Sequence, residues 1–174
     1  MNFKRKFFKP VTFILVIFAA VAVSCTTTNP PSATSGLSVS TVTSGTGGSY
    51  APKNVVAIWI ENNSGTFVKS MTVYAAERKY DLTNWGDSSN KNVTDAVTGA
   101  TRSGFGTISG TWDGTDVKGT MVADGTYKVC MELTDKSTTG NFSSFTFTKG
   151  AAAQTLTPAN VPSFSKISIK WLPL

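Results

Sequence analysis

The pattern that most limits this chain is an apolar periodicity of two, repeated from residue 54 to the C-terminus. Successive side chains of a strand point to opposite faces, so large apolar residues alternating with polar ones read as a strand with one face in a core. GTYKVCMELT (Gly125–Thr134) is the clearest case: Tyr127, Val129, Met131 and Leu133 alternate with Lys128, Cys130 and Glu132. NVVAIWIEN (Asn54–Asn62), TFVKSMTVYA (Thr66–Ala75), GTISGTWD (Gly106–Asp113), NFSSFTFTKG (Asn141–Gly150) and SFSKISIKWL (Ser163–Leu172) are strands by the same reading, rich in β-branched and aromatic residues. NNSG joins the first two of these as a hairpin turn. In the last, Phe164 is opposed in phase to Ile167, Ile169 and Trp171. ERKYDLTN (Glu77–Asn84) fits either one helical turn or a short strand, and no long amphipathic helix is present. Short strands at this spacing, with turn residues between them, predict an all-β fold: a single immunoglobulin-like antiparallel β-sandwich over residues 50–174. That length is enough for one core.

Residues 1–24 do not belong to such a domain. Lys4, Arg5, Lys6 and Lys9 precede an apolar run, VTFILVIFAAVAV (Val11–Val23), too short to cross a bilayer as a helix. A basic start, an apolar stretch of this length and small residues after it form a secretory signal peptide. Ser24 followed by Cys25 resembles the lipobox of bacterial lipoproteins, whose cysteine receives a diacylglycerol and becomes the first residue of the mature chain. Ala22 departs from the leucine usual in that motif. The resemblance implies an exported lipoprotein facing the periplasm or the cell surface, held at the membrane by lipid chains rather than a spanning helix. The alternative is ordinary cleavage nearby, which leaves an exposed free thiol.

From Thr26 to Ser49 the chain is mostly Ser, Thr, Gly and Pro, and only Leu37, Val39 and Val42 are sizeable apolar residues. Such a stretch buries too little to offset its ordering entropy. Residues 25–49 are therefore expected to be the lipidated cysteine and a flexible tether. Beyond the signal peptide, twelve Lys and Arg face ten Asp and Glu, a net charge of +2 with the charges scattered singly. Nucleic-acid binding needs a basic patch, so no nucleic-acid partner is expected. With Cys25 lipidated, Cys130 is left either to an intermolecular bond or to service as a small apolar side chain on its strand.

The side chains offer little catalytic chemistry. There is no histidine, so the commonest general base is missing. No serine stands in a nucleophile elbow, and zinc would need His or Cys ligands the chain lacks. No catalytic residue and no metal site are expected, and the protein is not read as an enzyme. Glu61 and Glu77 stand alone and read as solvated faces. Trp59, Trp85, Trp112 and Trp171 are candidates for stacking on glycans, but strand phase puts most of them in the core.

TWDGTDVKGTMVADGTYKVCMEL (Thr111–Leu133) reads as a strand, a tight turn, an excursion, a second turn and a strand. Trp112, Asp113, Gly114, Asp116, Gly119, Val122, Gly125 and Tyr127 fill a pattern that resembles the signature hairpin of the immunoglobulin-like domain in flagellar hook-capping proteins. Asp113 and Asp116 have two readings, a cation site or turn formation, and turn chemistry favours the second. A wider window, YAPKNVVAIWIENNSGTFVKSMTVYA, LTNW, DAVTGATRSG and WDGTDVKG, resembles the periplasmic family DUF2271. The family shares a first strand ending in Trp-x-Glu (Trp59, Glu61), a glycine turn, a second strand, a D-A-V-[ST]-G-A-T segment and the hook-cap-like hairpin. The resemblance runs from Tyr50 to Leu133 and more weakly to the end. Members carry a histidine–glycine pair soon after the strand ending here at Leu133. This chain has Thr134-Asp135-Lys136-Ser137 there, so nothing that rests on that histidine carries over.

Asp95-Ala-Val-Thr98-Gly99-Ala100-Thr101 also resembles the acceptor motif D-x-x-[ST]-G-A-[ST] of bacterial flavin transferases, which split FAD and join FMN through its phosphate to the last hydroxyl. Asp95, Thr98, Gly99, Ala100 and Thr101 fill every position. A threonine hydroxyl is a poor nucleophile without a base, so a second enzyme must activate it. Small residues at Gly99 and Ala100 let the acceptor strip enter that enzyme's cleft. Two readings follow. In one, FMN on Thr101 makes the protein an extracytoplasmic electron carrier, with a flavin transferase and membrane redox proteins as partners. In the other, the segment is a plain loop on a non-catalytic immunoglobulin-like lipoprotein for surface binding or envelope assembly.

Overall fold

The structure is a computed structural model and describes residues 35–76, 78–91 and 100–174. Cys25 and the signal peptide lie outside the described residues, as do Glu77, Asp95, Thr98 and Gly99. The described strands are β1 (Gly36–Thr43), β2 (Val55–Asn62), β3 (Phe67–Tyr74), β4 (Thr107–Trp112), β5 (Gly125–Thr134), β6 (Asn141–Lys149), β7 (Gln154–Leu156) and β8 (Phe164–Leu172). They form two four-stranded sheets, ordered β4-β1-β8-β7 and β3-β2-β5-β6. Every pairing is antiparallel, and the two inner faces close on one core as an all-β sandwich.

Strand β1 corrects the expected tether, which was drawn through residues 36–43. It lies between β4 and β8, with Leu37 opposite both Trp112 and Trp171. Its core-facing row is Leu37, Val39, Thr41 and Thr43, all buried. The two threonines keep the row dry because each hydroxyl donates to a carbonyl: Thr41 Oγ1 to Ser165 O and Thr43 Oγ1 to Gly106 O, both 2.9 Å. Polar composition therefore hides a central strand whose polar atoms are satisfied by its neighbours.

Strand β8 corrects the expected phase. Ser40 of β1 faces Ser168, but Val42 faces Ser165, so β8 carries one residue more than β1 between the two pairs. This is a β-bulge, and Lys166 within it has a φ of +50°. The extra residue reverses the alternation and turns Phe164 to the same face as Ile167, Ile169 and Trp171. Toward one end of the core, Trp112 and Trp171 of one sheet meet Tyr127 and Phe147 of the other, with ring centroids 5.4 to 6.4 Å apart. Rings at such separations add to the area they bury.

Strand β2 is buried on both faces. Val56, Ile58 and Ile60 enter the sandwich core, while Val55, Ala57 and Trp59 join Val73, Ala75 and Cys130 in a second cluster on the outer face. Leu82 and Trp85 cover that cluster. They belong to the segment left ambiguous by its sequence, which is a 3-10 helix (Lys79–Asp81) followed by α1 (Thr83–Ser88). A six-residue helix is not stable alone. The buried Glu132 carboxylate holds it by accepting from Asn84 N and Trp85 N, at 3.2 and 2.9 Å. Glu61 does not present a bare solvated face either. It accepts from Trp59 Nε1 at 2.8 Å and from Ser88 Oγ at 2.6 Å, tying β2 to α1. All four tryptophans are buried, which removes them as stacking platforms for a glycan.

Candidate functional site

The loop after β4 carries the two aspartates that had a cation reading. Asp113 Oδ1 accepts from Thr115 N at 3.0 Å and from Thr115 Oγ1 at 2.6 Å. Asp116 Oδ1 accepts from Lys118 N and Thr120 N, at 2.8 and 2.9 Å. Gly114 and Gly119 take φ of +81° and +79°, values that favour glycine. Burial alone would raise the Asp113 carboxyl, but the Thr115 bonds and Lys69 outweigh it and hold the group below the usual carboxylate range. Both carboxylates are engaged in shaping turns. Among the described residues no three His, Cys, Asp or Glu are grouped to hold a metal ion. Cys130 is free and enclosed; burial, then the neighbouring Glu61, pushes its thiol well above its ordinary value, so it is a packing residue.

Thr101 is half-buried, and Ala100 before it is exposed. The next residue, Arg102, fixes this point of the chain to the sandwich. Arg102 N donates to Asn54 O at 3.0 Å and Asn54 N to Arg102 O at 3.1 Å, a one-residue antiparallel bridge just before β2. A groove of about 210 Å³ opens beside it, lined by Lys53, Arg78, Thr101, Arg102 and Ser103. Three of these five carry positive charge and none carries negative charge. Arg78 lies over the Tyr50 ring at 3.7 Å, and Arg102 lies 5.5 Å from the centre of the Tyr74 ring. Among the described residues none of the three cations makes an ion pair. Arg102 Nη1 and Asn54 Oδ1 are buried and have no hydrogen-bond partner among those residues. A second groove, about 390 Å³, shares Thr101, Arg102 and Ser103 with the first and is also bordered by Tyr74, Ala100 and Phe105.

The loop that brings Lys53 here is anchored from β5. Asp135, enclosed at the end of that strand, accepts from Thr46 N at 2.8 Å and from Thr46 Oγ1, and its backbone oxygen accepts from Tyr50 N at 2.8 Å. Burial would raise this carboxyl, but bonds from Thr46 and Gly48 prevail and hold it below its ordinary value. Asp135 thus has a structural task.

The structure places Ala100 and Thr101 at a groove; Asp95, Thr98 and Gly99 lie outside the described residues. Lys53, Arg78 and Arg102 were not singled out by sequence. Only Arg102 had a signal there, its position directly after the motif.

A search of the curated proteins returned no match, and a search of the solved structures returned none. A family model, DUF2271, described as predicted periplasmic protein, matches residues 34–161. The match begins before β1, in keeping with that strand's place in the domain, and covers both grooves. The chain therefore belongs to the DUF2271 family of predicted periplasmic proteins, and its role is extracytoplasmic.

Proposed function

We propose that this protein is a lipoprotein, anchored through Cys25, that carries FMN in phosphoester linkage on Thr101 and serves as an electron-transfer module rather than a turnover enzyme. One observation carries the reading: the hydroxyl residue ending a complete acceptor motif stands at a groove lined by Lys53, Arg78 and Arg102, with no carboxylate among the described lining residues. A phosphodiester keeps one negative charge, and charge-assisted bonds from arginine and lysine are the strong ones. The residues present fit such a group.

The attachment balances as follows. A flavin transferase removes the Thr101 proton, the oxygen bonds to the phosphorus of the FMN half of FAD, and the bond to AMP breaks. The base must come from the transferase, since the chain has no histidine. Once attached, the flavin supplies reversible electron storage, and membrane redox proteins would load and empty it. The sandwich holds Thr101 in place through the Asn54–Arg102 bridge.

Co-expression with a flavin transferase and FAD tests the assignment. A band fluorescent in the gel and a mass increase of one FMN are expected on the wild type and absent on Thr101→Ala. No label on the wild type, or an undiminished label on the variant, overturns it. Cys25→Ser should move the protein from the membrane to the soluble fraction; retention at the membrane refutes the lipid anchor.

A further inference from the structure

Thr101, Arg102 and Ser103 line two grooves of different chemistry. One offers the cations Lys53 and Arg78; the other offers the rings of Tyr74 and Phe105. Arg102 borders both, with one guanidinium nitrogen buried and unpartnered among the described residues. A buried donor without a partner costs free energy. The aromatic wall is already built. Tyr74 and Phe105 pack against the sandwich core, and Phe105 lies so close to Gly45 that a Cβ there would come within 2.7 Å of its ring. The volume of the open groove falls within the roughly 300–1,000 Å³ of small-molecule sites.

We infer that the two grooves together form a non-covalent binding site for a mononucleotide-like ligand, with its phosphate at Lys53, Arg78 and Arg102 and its flat ring against Tyr74 and Phe105. The inference rests on the function proposed above only in naming FMN as the occupant. The site would recognise the nucleotide whether or not a bond to Thr101 forms. After attachment, the cofactor is docked on the domain and does not swing free on the loop.

The full mature lipoprotein, produced without any flavin transferase and solubilised in detergent, is titrated with FMN, riboflavin and inorganic phosphate. FMN is expected to bind about tenfold or more tightly than riboflavin, which lacks the phosphate, and than inorganic phosphate, which lacks the ring. Lys53→Gln with Arg78→Gln should bring FMN down to the riboflavin level. Tyr74→Leu should weaken FMN and riboflavin alike. Lys170→Gln, which removes one positive charge on β8 outside both grooves, should change neither, and melting curves check that each variant folds. Equal binding of FMN and riboflavin, FMN no tighter than phosphate, or no binding overturns the inference. Covalent labelling without this affinity keeps Thr101 as acceptor and refutes the docking site. Affinity without labelling does the reverse.

Discussion

The loop from Asp113 to Tyr127 and the rim around Thr101 both put charged side chains at the surface, and they use them in opposite ways. In the first, Asp113 and Asp116 accept from backbone N–H groups of their own turns, and Asp124 is paired with Lys149. The polar tips of the flanking aromatics are consumed too: Trp112 Nε1 donates to Thr115 O and Tyr127 OH to Ala123 O, both at 2.7 Å. In the second, three cations share a groove without an ion pair among the described residues, and two buried polar atoms lack partners among them. A region whose polar groups are satisfied within itself is architecture; a region that leaves them unsatisfied is the better candidate for a ligand. By sequence alone the ranking runs the other way, because paired aspartates look like chemistry and three scattered cations do not.

Trp112→Ala is the harshest test of the first region. It empties the centre of the aromatic cluster and should cost about 3–5 kcal/mol in urea unfolding. A loss below about 1 kcal/mol would mean that the hairpin is not joined to the core as described. Asp135→Asn probes the support of the second region. It weakens charge-assisted bonds to Thr46 and should cost about 1.5–3 kcal/mol at neutral pH. The sign of its pH dependence is set by a folded value held below the unfolded one. The stabilisation is full above the unfolded carboxylate value of about 4 and is lost as pH falls from there through the folded value. Stability measured from pH 6 downward should therefore fall more steeply in wild type than in Asp135→Asn, and parallel curves would contradict the lowered value.

Asp116→Ala should cost about 1 kcal/mol through the loss of its turn bonds and leave FMN affinity unchanged. A change in FMN affinity would blur the line between the two regions. The smallest stability effect belongs to Lys53→Gln with Arg78→Gln. These side chains hold no ion pair among the described residues, and the loss is that of Arg78 over Tyr50, so thermal stability should shift by no more than about 1 kcal/mol. A large loss would turn the cationic groove into architecture as well.

The hairpin is legible in sequence because its chemistry is local. Asp113, Gly114, Asp116 and Gly119 shape their turns through residues within four positions of themselves, and only Lys69 reaches Asp113 from afar among the described residues. The candidate site is legible only at Ala100 and Thr101, where a motif marks it. Lys53 and Arg78 meet there because the connection before β2 is tied to Asp135 and because Arg78 lies on Tyr50, contacts between residues far apart in the chain. No window of sequence holds both ends of such a contact.

The same division runs through the fold. Strand alternation, turn glycines and the absence of a long amphipathic helix follow from steric rules acting over a few residues, and they determine an antiparallel sandwich. Tertiary structure alone decided that the Ser- and Thr-rich residues 36–43 form a central strand, because neighbouring carbonyls accept their hydroxyls. It also decided that one bulged residue turns Phe164 inward, and that a helix too short to stand alone closes the outer face over Trp59. Each depends on a partner supplied by another strand, and only the packed chain brings those partners within reach.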